Sequence, residues 1–279
     1  MGSSGWGRMD EEMLPGGFIA GATRVGDTVH KAPPPDPGFV HGLLRHLEGW
    51  GGAPRFLGSD GQGRAVLGYL AGVVPWERGV PPGYVRSDRN LRAVARLVRE
   101  FHDLTAGTAL AGAHEVVCHN DLSPKNTVYR DRGSGLEPTG FIDWDIAAPG
   151  RRVEDVAHVC WQFVGLGSAI PGRGGAARPA RAEPTGTTSA VWAKAEEAAR
   201  KVWVVADGYG LGDADRAVLV DTILWWQERC WRGILAGARA GQTAMIRLCE
   251  LGAADEVRAA HEWTRRHSAR IRVAGGRAG

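Results

Sequence analysis

Cysteine is scarce: Cys118, Cys160, Cys230 and Cys249 are the only four in 279 residues, far apart, with no C-x-x-C pair and no companion histidines at zinc-ligand spacing. A disulfide framework and a sequence-local zinc site are excluded, and the four thiols read as buried groups in a reducing compartment. Long apolar runs are missing too. No stretch approaches the roughly 18 apolar residues of a membrane span. The N-terminal "MGSSGWGRMDEEML" has no apolar h-region, and Trp6 spoils a myristoylation match after Gly2. The expectation is a soluble, cytoplasmic chain with no membrane partner. Charge of one sign is also lacking, since 34 basic against 31 acidic residues leave only +3. No single-sign field marks the molecule for nucleic acid.

What is present is a globular composition, 43% hydrophobic, long enough for one large core or two modest ones. From Leu14 to Lys31, "LPGGFIAGATRVGDTVHK" predicts a glycine-rich turn and a hairpin turning at Gly26-Asp27. Four prolines between Pro33 and Pro37 stop that strand, and "FVHGLLRHLEGW" then spaces Val40, Leu43, Leu44 and Leu47 as an amphipathic helix. "PRFLG" and "AVLGYLAG" around the turn "SDGQG" predict a second hairpin, so a small sheet lobe should span residues 1–75, with a hinge near 67–75.

Residues 76–279 read as a larger, mostly helical lobe, with long helices in "NLRAVARLVREFHDL", "AVLVDTILWWQERCWRGILAGARA" and "DEVRAAHEWTRRHSARI". Gly, Pro, Ala, Arg and Thr dominate residues 171–190 without an apolar period, which predicts a mobile insertion. Between the first two helices, "EVVCH", "NTVYR" and "GFID" read as short strands, with "RGSGLEP" as a turn.

Polar residues cluster at these strand ends. His119, Asp121 and Asn126 fit H-x-D-x-x-x-x-N, the spacing of a kinase catalytic loop. Phosphoryl transfer needs one carboxylate to orient and deprotonate an attacking hydroxyl, which suits Asp121, and hard oxygen ligands for the magnesium of a nucleoside triphosphate. Asn126 and Asp143 suit that second task, and Asp145 is placed to share it. Singly, each of these residues also suits a turn or a helix cap; the ordered set is what points to chemistry.

"HNDLSPKN" and "FIDWD" resemble the catalytic segments of the aminoglycoside phosphotransferase and choline kinase-like family, and "LRAVARLVREFHDL" and "RRVEDVAHV" are similar to its flanking helices. The part around "LVDTILWWQERCWRGILAGARAG" resembles actinobacterial-type members without an assigned acceptor. The resemblance implies an α+β, bilobal protein kinase-like fold. It makes Asp121 the catalytic base, His119 a catalytic-loop residue that orients the loop, Asn126 and Asp143 magnesium ligands, and Asp155 a support for the loop from a buried helix start.

Gly16, Gly17 and Gly21 permit close backbone approach to a triphosphate. Lys31 ends its strand where the kinase-like lysine contacts phosphates, although a one-residue slip would exchange it with His30. The usual glutamate partner on the next helix is replaced by Val40 or His41, with Glu48 too late. Tyr69 and Leu70, in the linker, are the expected contacts for an adenine edge. No glycine follows Asp143-Trp144 and no A-P-E segment exists, so a protein-kinase activation loop is not expected. Trp225, Trp226 and Trp231 with Glu228 suit either an acceptor floor or helix packing.

The expected function is transfer of the γ-phosphate of Mg-ATP or Mg-GTP to a hydroxyl of a small molecule: an antibiotic, natural product, sugar or amino alcohol. Residues 151–279 hold 19 Lys and Arg against 14 Asp and Glu, which counts against a polycationic aminoglycoside. Two other readings stay open: a catalytically impaired kinase-fold binding module, and a metal-dependent hydrolase using Asp143 and Asp145 with His119.

Overall fold

The computed structural model describes residues 11–14, 21–75, 81–167 and 188–275. The glycine-rich turn with Gly16 and Gly17, and residues 171–187 of the expected insertion, lie outside them. The N-terminal part is a five-stranded antiparallel sheet in the order β1-β2-β3-β5-β4. It comprises β1 (Glu11–Leu14), β2 (Ala22–Val25), β3 (Thr28–Lys31), β4 (Phe56–Ser59) and β5 (Ala65–Gly68). Gly26, at φ 59°, makes the tight β2–β3 turn, a conformation glycine adopts without a Cβ penalty.

Helix α1 (Pro37–His46) follows β3. Pro37 starts it and the Asp36 carboxylate caps it by accepting from Phe39 N–H at 3.0 Å. Its Val40, Leu43 and Leu44 face inward with Leu47, and they join the same apolar core as the helical part. Two further ties cross from the sheet side: Phe141 N–H donates to Gly52 C=O at 2.7 Å, and Val73 and Tyr129 exchange backbone hydrogen bonds at 2.8 Å.

The C-terminal part packs α2 (Asp88–Thr105), α3 (Arg152–Val164), α4 (Thr188–Tyr209), α5 (Asp213–Arg239), α6 (Thr243–Glu250) and α7 (Ala253–Gly275) around fully buried residues such as Phe101, Phe163, Leu219 and Ile223. Two short ladders sit between α2 and α3: β6 (Val116–Cys118) with β9 (Ala148–Gly150), and the hairpin β7 (Thr127–Asp131) with β8 (Leu136–Phe141). The expected bilobal, kinase-like α+β architecture is the one observed.

Several local expectations change. "EVVCH" pairs with Ala148-Pro149-Gly150, a strand its proline hides from a sequence reading. The "RGSGLEP" turn is shorter than expected: Gly133 and Gly135, both at positive φ, reverse the chain, which frees Leu136 to Pro138 to pair with β7. Helix α4 starts at Thr188, inside the segment read as insertion. All four thiols are free, but only Cys118 and Cys160 are buried, while Cys230 and Cys249 are half-buried. No described helix is long and apolar enough to cross a membrane.

Candidate active site

The loop after β6 is shaped by a carboxylate beneath it. Asp155, fully buried in the first turn of α3, accepts the backbone N–H groups of His119 at 2.7 Å and Asn120 at 3.0 Å. Asn120 takes the left-handed conformation, φ 66°, which asparagine tolerates better than most side chains. His119 packs between Trp144 and Phe141, at 4.5 and 5.9 Å between ring centroids. Its Nδ1 accepts from Asp121 N–H at 3.3 Å, which leaves Nε2 as the donor to Ile142 C=O at 3.1 Å. Burial depresses its pKa against the pull of Asp155, Asp121 and Asp143, so the ring is held neutral. Both ring nitrogens are committed to backbone. That arrangement suits the loop-orienting role expected of His119 and leaves neither ring nitrogen free for the hydrolase reading.

Asp121 emerges from this loop partly exposed. Asn126 Nδ2 donates to its Oδ2 at 2.7 Å and to its backbone carbonyl at 2.9 Å. Asn126 C=O in turn accepts from Ile142 N–H at 2.9 Å, which lays the two acidic strand ends side by side. Asp143 is the second described non-glycine residue at positive φ, 65°. Such conformations cost about 1 kcal/mol or more and persist where surrounding structure imposes them.

From the sheet, Lys31 reaches across the cleft. Its Nζ lies 2.6 Å from Asp143 Oδ1 and 2.9 Å from the Asp145 carboxylate. Burial alone would lower the Lys31 pKa, but the two carboxylates outweigh it and raise it. Burial pushes Asp143 up while Lys31 more than reverses that; Asp145, crowded by burial and by Asp143, stays above the usual carboxylate range. His30 points elsewhere, its Nδ1 2.8 Å from Asp60 Oδ2, so the register is resolved in favour of Lys31. The counter-charges of Lys31 come from Asp143 and Asp145 rather than from α1, where Val40 is buried and His41 stacks on Phe56 at 3.9 Å, or from the turn after it, where Glu48 pairs with Arg55.

Sequence reasoning missed the network behind Asp155. Arg152 donates to Tyr209 Oη at 3.1 Å, Tyr209 lies 2.8 Å from His102 Nδ1, and His102 Nε2 lies 3.1 Å from Asp155 Oδ2. Read as donors, the chain runs from guanidinium to hydroxyl to imidazole to carboxylate. His102 was visible in "REFHDL", but its partner Tyr209 is more than a hundred residues away on α4, beyond any local signal. His102, Asp155 and Cys118 come close enough to hold a cation, yet the Asp155 oxygens already accept from the loop and the Cys118 thiol turns to Arg151 C=O.

A sequence model described as the phosphotransferase enzyme family matches residues 106–187. The chain is also 30% identical over 248 residues to the trifolitoxin immunity protein of Rhizobium leguminosarum bv. trifolii, covering 77% of this chain and 80% of that one. The chain belongs to the phosphotransferase enzyme family. Among solved structures, it resembles a choline/ethanolamine kinase family protein from Mesorhizobium loti, with TM-score 0.52 and 15% identity over 91% of this chain and 92% of that one. An ethanolamine kinase of Plasmodium vivax gives TM-score 0.58 and 10% identity, covering 92% and 83%. The GDP complex of aminoglycoside 2'-phosphotransferase-IIIa gives 0.52 and 17%, covering 89% and 93%. These identities establish the kinase-like fold.

The remaining residues of this phosphotransferase singled out above fall as follows. Among the described residues, a Cβ on Gly21 would meet only Met13 Cε, at 3.9 Å. Tyr69 N–H is taken by Asp27 C=O at 2.8 Å and its ring lies under Arg24, which leaves Leu70 as the better placed linker edge. Trp226 is core: it is 7% exposed, and its Nε1 donates to Glu154 C=O at 2.7 Å. Trp225 is 42% exposed, and Glu228 is held by Arg232.

Proposed function

We propose that this protein transfers the γ-phosphate of Mg-ATP or Mg-GTP to a hydroxyl of a small molecule. The observation that carries the reading is Lys31 of the sheet lobe meeting Asp143 and Asp145 across the cleft, beside the Asp121–Asn126 pair. In this reading residues 1–75 bind the nucleotide. Lys31, the glycines Gly16, Gly17 and Gly21, and the linker at Tyr69 and Leu70 contact it. Residues 76–279 supply the catalytic loop and the acceptor site.

Asp143 and Asn126, with Asp145 beside them, are the hard oxygen donors magnesium prefers, and the ion would neutralise phosphate charge when bound. Asp121 orients the acceptor hydroxyl and takes its proton. Asn126 Nδ2 and the His119–Ile142 contact hold that carboxylate in place, so the protein's contribution is positioning and charge. Neither a protein partner nor a nucleic acid enters the scheme. The relative is an immunity protein, so protection of a cell from a toxic small molecule is the setting we assign. Expression should then raise tolerance to at least one compound of a toxin panel, and Asp121→Ala should abolish the gain.

Thermal unfolding with ATP or GTP, with and without magnesium, tests the nucleotide site. At ligand 100-fold above Kd, native-state binding adds about 2.7 kcal/mol, a shift of several degrees. The shift should need magnesium and disappear in Asp143→Asn. Once an acceptor is found, Asp121→Ala should cut kcat by about 10²- to 10⁴-fold. Binding that survives alongside transfer absent even in the wild type would favour the impaired-kinase reading instead.

A further inference from the structure

The surroundings of Asp121 carry information on what it phosphorylates, an inference that rests on the phosphotransferase reading. Lys125 Nζ lies 3.8 Å from Asp121 Oδ2, at the open end of the loop, with its side chain 47% exposed. A hydroxyl seated on Asp121 therefore has an ammonium group beside it.

Two groups that feel the Asp121 charge from the helical side, on α3 and α5, are themselves uncharged. His158, one turn along α3 from Asp155, is 4% exposed, stacks on Trp226 at 4.9 Å and lies 5.5 Å from Trp161. Its Nδ1 is buried without a hydrogen-bond partner, an unmet polar atom that a ligand can satisfy. Burial drives its pKa down to about 4 although Asp121 pulls the other way, so it is neutral at pH 7. Cys230 on α5 also feels Asp121; burial first and that charge second push its thiol up to about 11. Arg229 lies over both Trp225 and Trp226, at 5.1 and 5.5 Å. Glu154 on α3 and Glu228 on α5 are held by their own arginines, Arg151 and Arg232.

We infer that the acceptor is an alcohol carrying an anionic group, such as a carboxylate, near its reacting hydroxyl, and that Lys125 is the residue that selects it. A polycation presented to Asp121 would be repelled by Lys125, whereas an anion next to the hydroxyl would be drawn to the same ammonium.

Two matched trios probe this: glycerate, glycerol and 3-amino-1,2-propanediol; glucuronate, glucose and glucosamine. ADP release above the acceptor-free rate, with the product mass, gives kcat and KM. The anionic member should be the best substrate of any trio used. Lys125→Glu should raise its KM about tenfold while KM for Mg-ATP moves less than about twofold. The same variant should favour the cationic member, and Lys125→Arg should keep the wild-type order. A cationic member preferred by the wild type, an order unchanged in Lys125→Glu, or no member used by a protein that Mg-ATP stabilises would each overturn the inference. A rise in KM for Mg-ATP with an unchanged acceptor order would assign Lys125 to the phosphates instead. Absence of any Mg-nucleotide stabilisation is the separate result that removes the phosphotransferase reading itself.

Discussion

At the scale of single residues, the site depends on which groups are kept charged. Asp143 and Asp145 share one ammonium, and the sharing is unequal: Lys31 holds Asp143 below the usual range while Asp145 is left above it. His158 shows the opposite control, a titratable ring kept neutral by burial. Its folded pKa of about 4 lies below the ordinary 6.5, so its contribution to stability is complete above pH 6.5 and is lost as pH falls toward 4. The loss should reach about 2 kcal/mol between about pH 7.5 and pH 5. Urea unfolding at the two pH values should show that difference in the wild type and a smaller one in His158→Phe; equal losses would mean that His158 does not carry the pH dependence.

At the scale of elements, the loop from His119 to Asn126 has little regular structure of its own and borrows its shape from helices. Asp155 on α3 holds its backbone, His102 on α2 holds Asp155, and Tyr209 near the end of α4 holds His102. Removing the Tyr209 hydroxyl leaves a buried imidazole nitrogen unmatched. Tyr209→Phe should therefore cost about 1–3 kcal/mol in denaturant unfolding. If the chain of contacts positions Asp121, the same variant should lower kcat more than it raises either KM; a variant that loses stability but keeps kcat would make the network purely structural.

The helices also show the limits of a sequence reading. "NLRAVARLVREFHDL" carries its apolar stripe openly and is α2 as expected, whereas Pro37, read as a strand stop, is also the first residue of α1. The β9 strand, three residues with a proline at its centre, gave no such signal because its partner, Val116–Cys118, is distant in sequence.

At the scale of the whole molecule, the sheet and the helical part are joined by more than a linker. Leu43, Leu44 and Leu47 of the sheet side share a core with Phe101 and Trp144 of the helical side. In the linker, Gly72 sits at φ 148°, and a Cβ there would fall 2.5 Å from Val128 Cγ1 and 2.6 Å from Tyr129 C=O. Gly72→Ala should accordingly destabilise the protein by about 2 kcal/mol or more, because backbone strain and overpacking add at a position that cannot move without breaking the Val73–Tyr129 bridge. A wild-type midpoint in urea for this variant would mean that the linker relaxes freely.

The order His119, Asp121, Asn126 and Asp143 at strand ends was determined by the sequence alone, because phosphoryl-transfer chemistry fixes which side chains follow one another along a short loop. So were α1, α2, α5, α7 and the main hairpins, whose periodicities are local. Only the tertiary structure decided that Lys31 rather than His30 faces the acids, that both ring nitrogens of His119 are taken by backbone groups, and that Lys125 stands beside Asp121. Each of these depends on which faces of distant segments meet, and close approach between residues far apart in the chain leaves no pattern in the residues on either side.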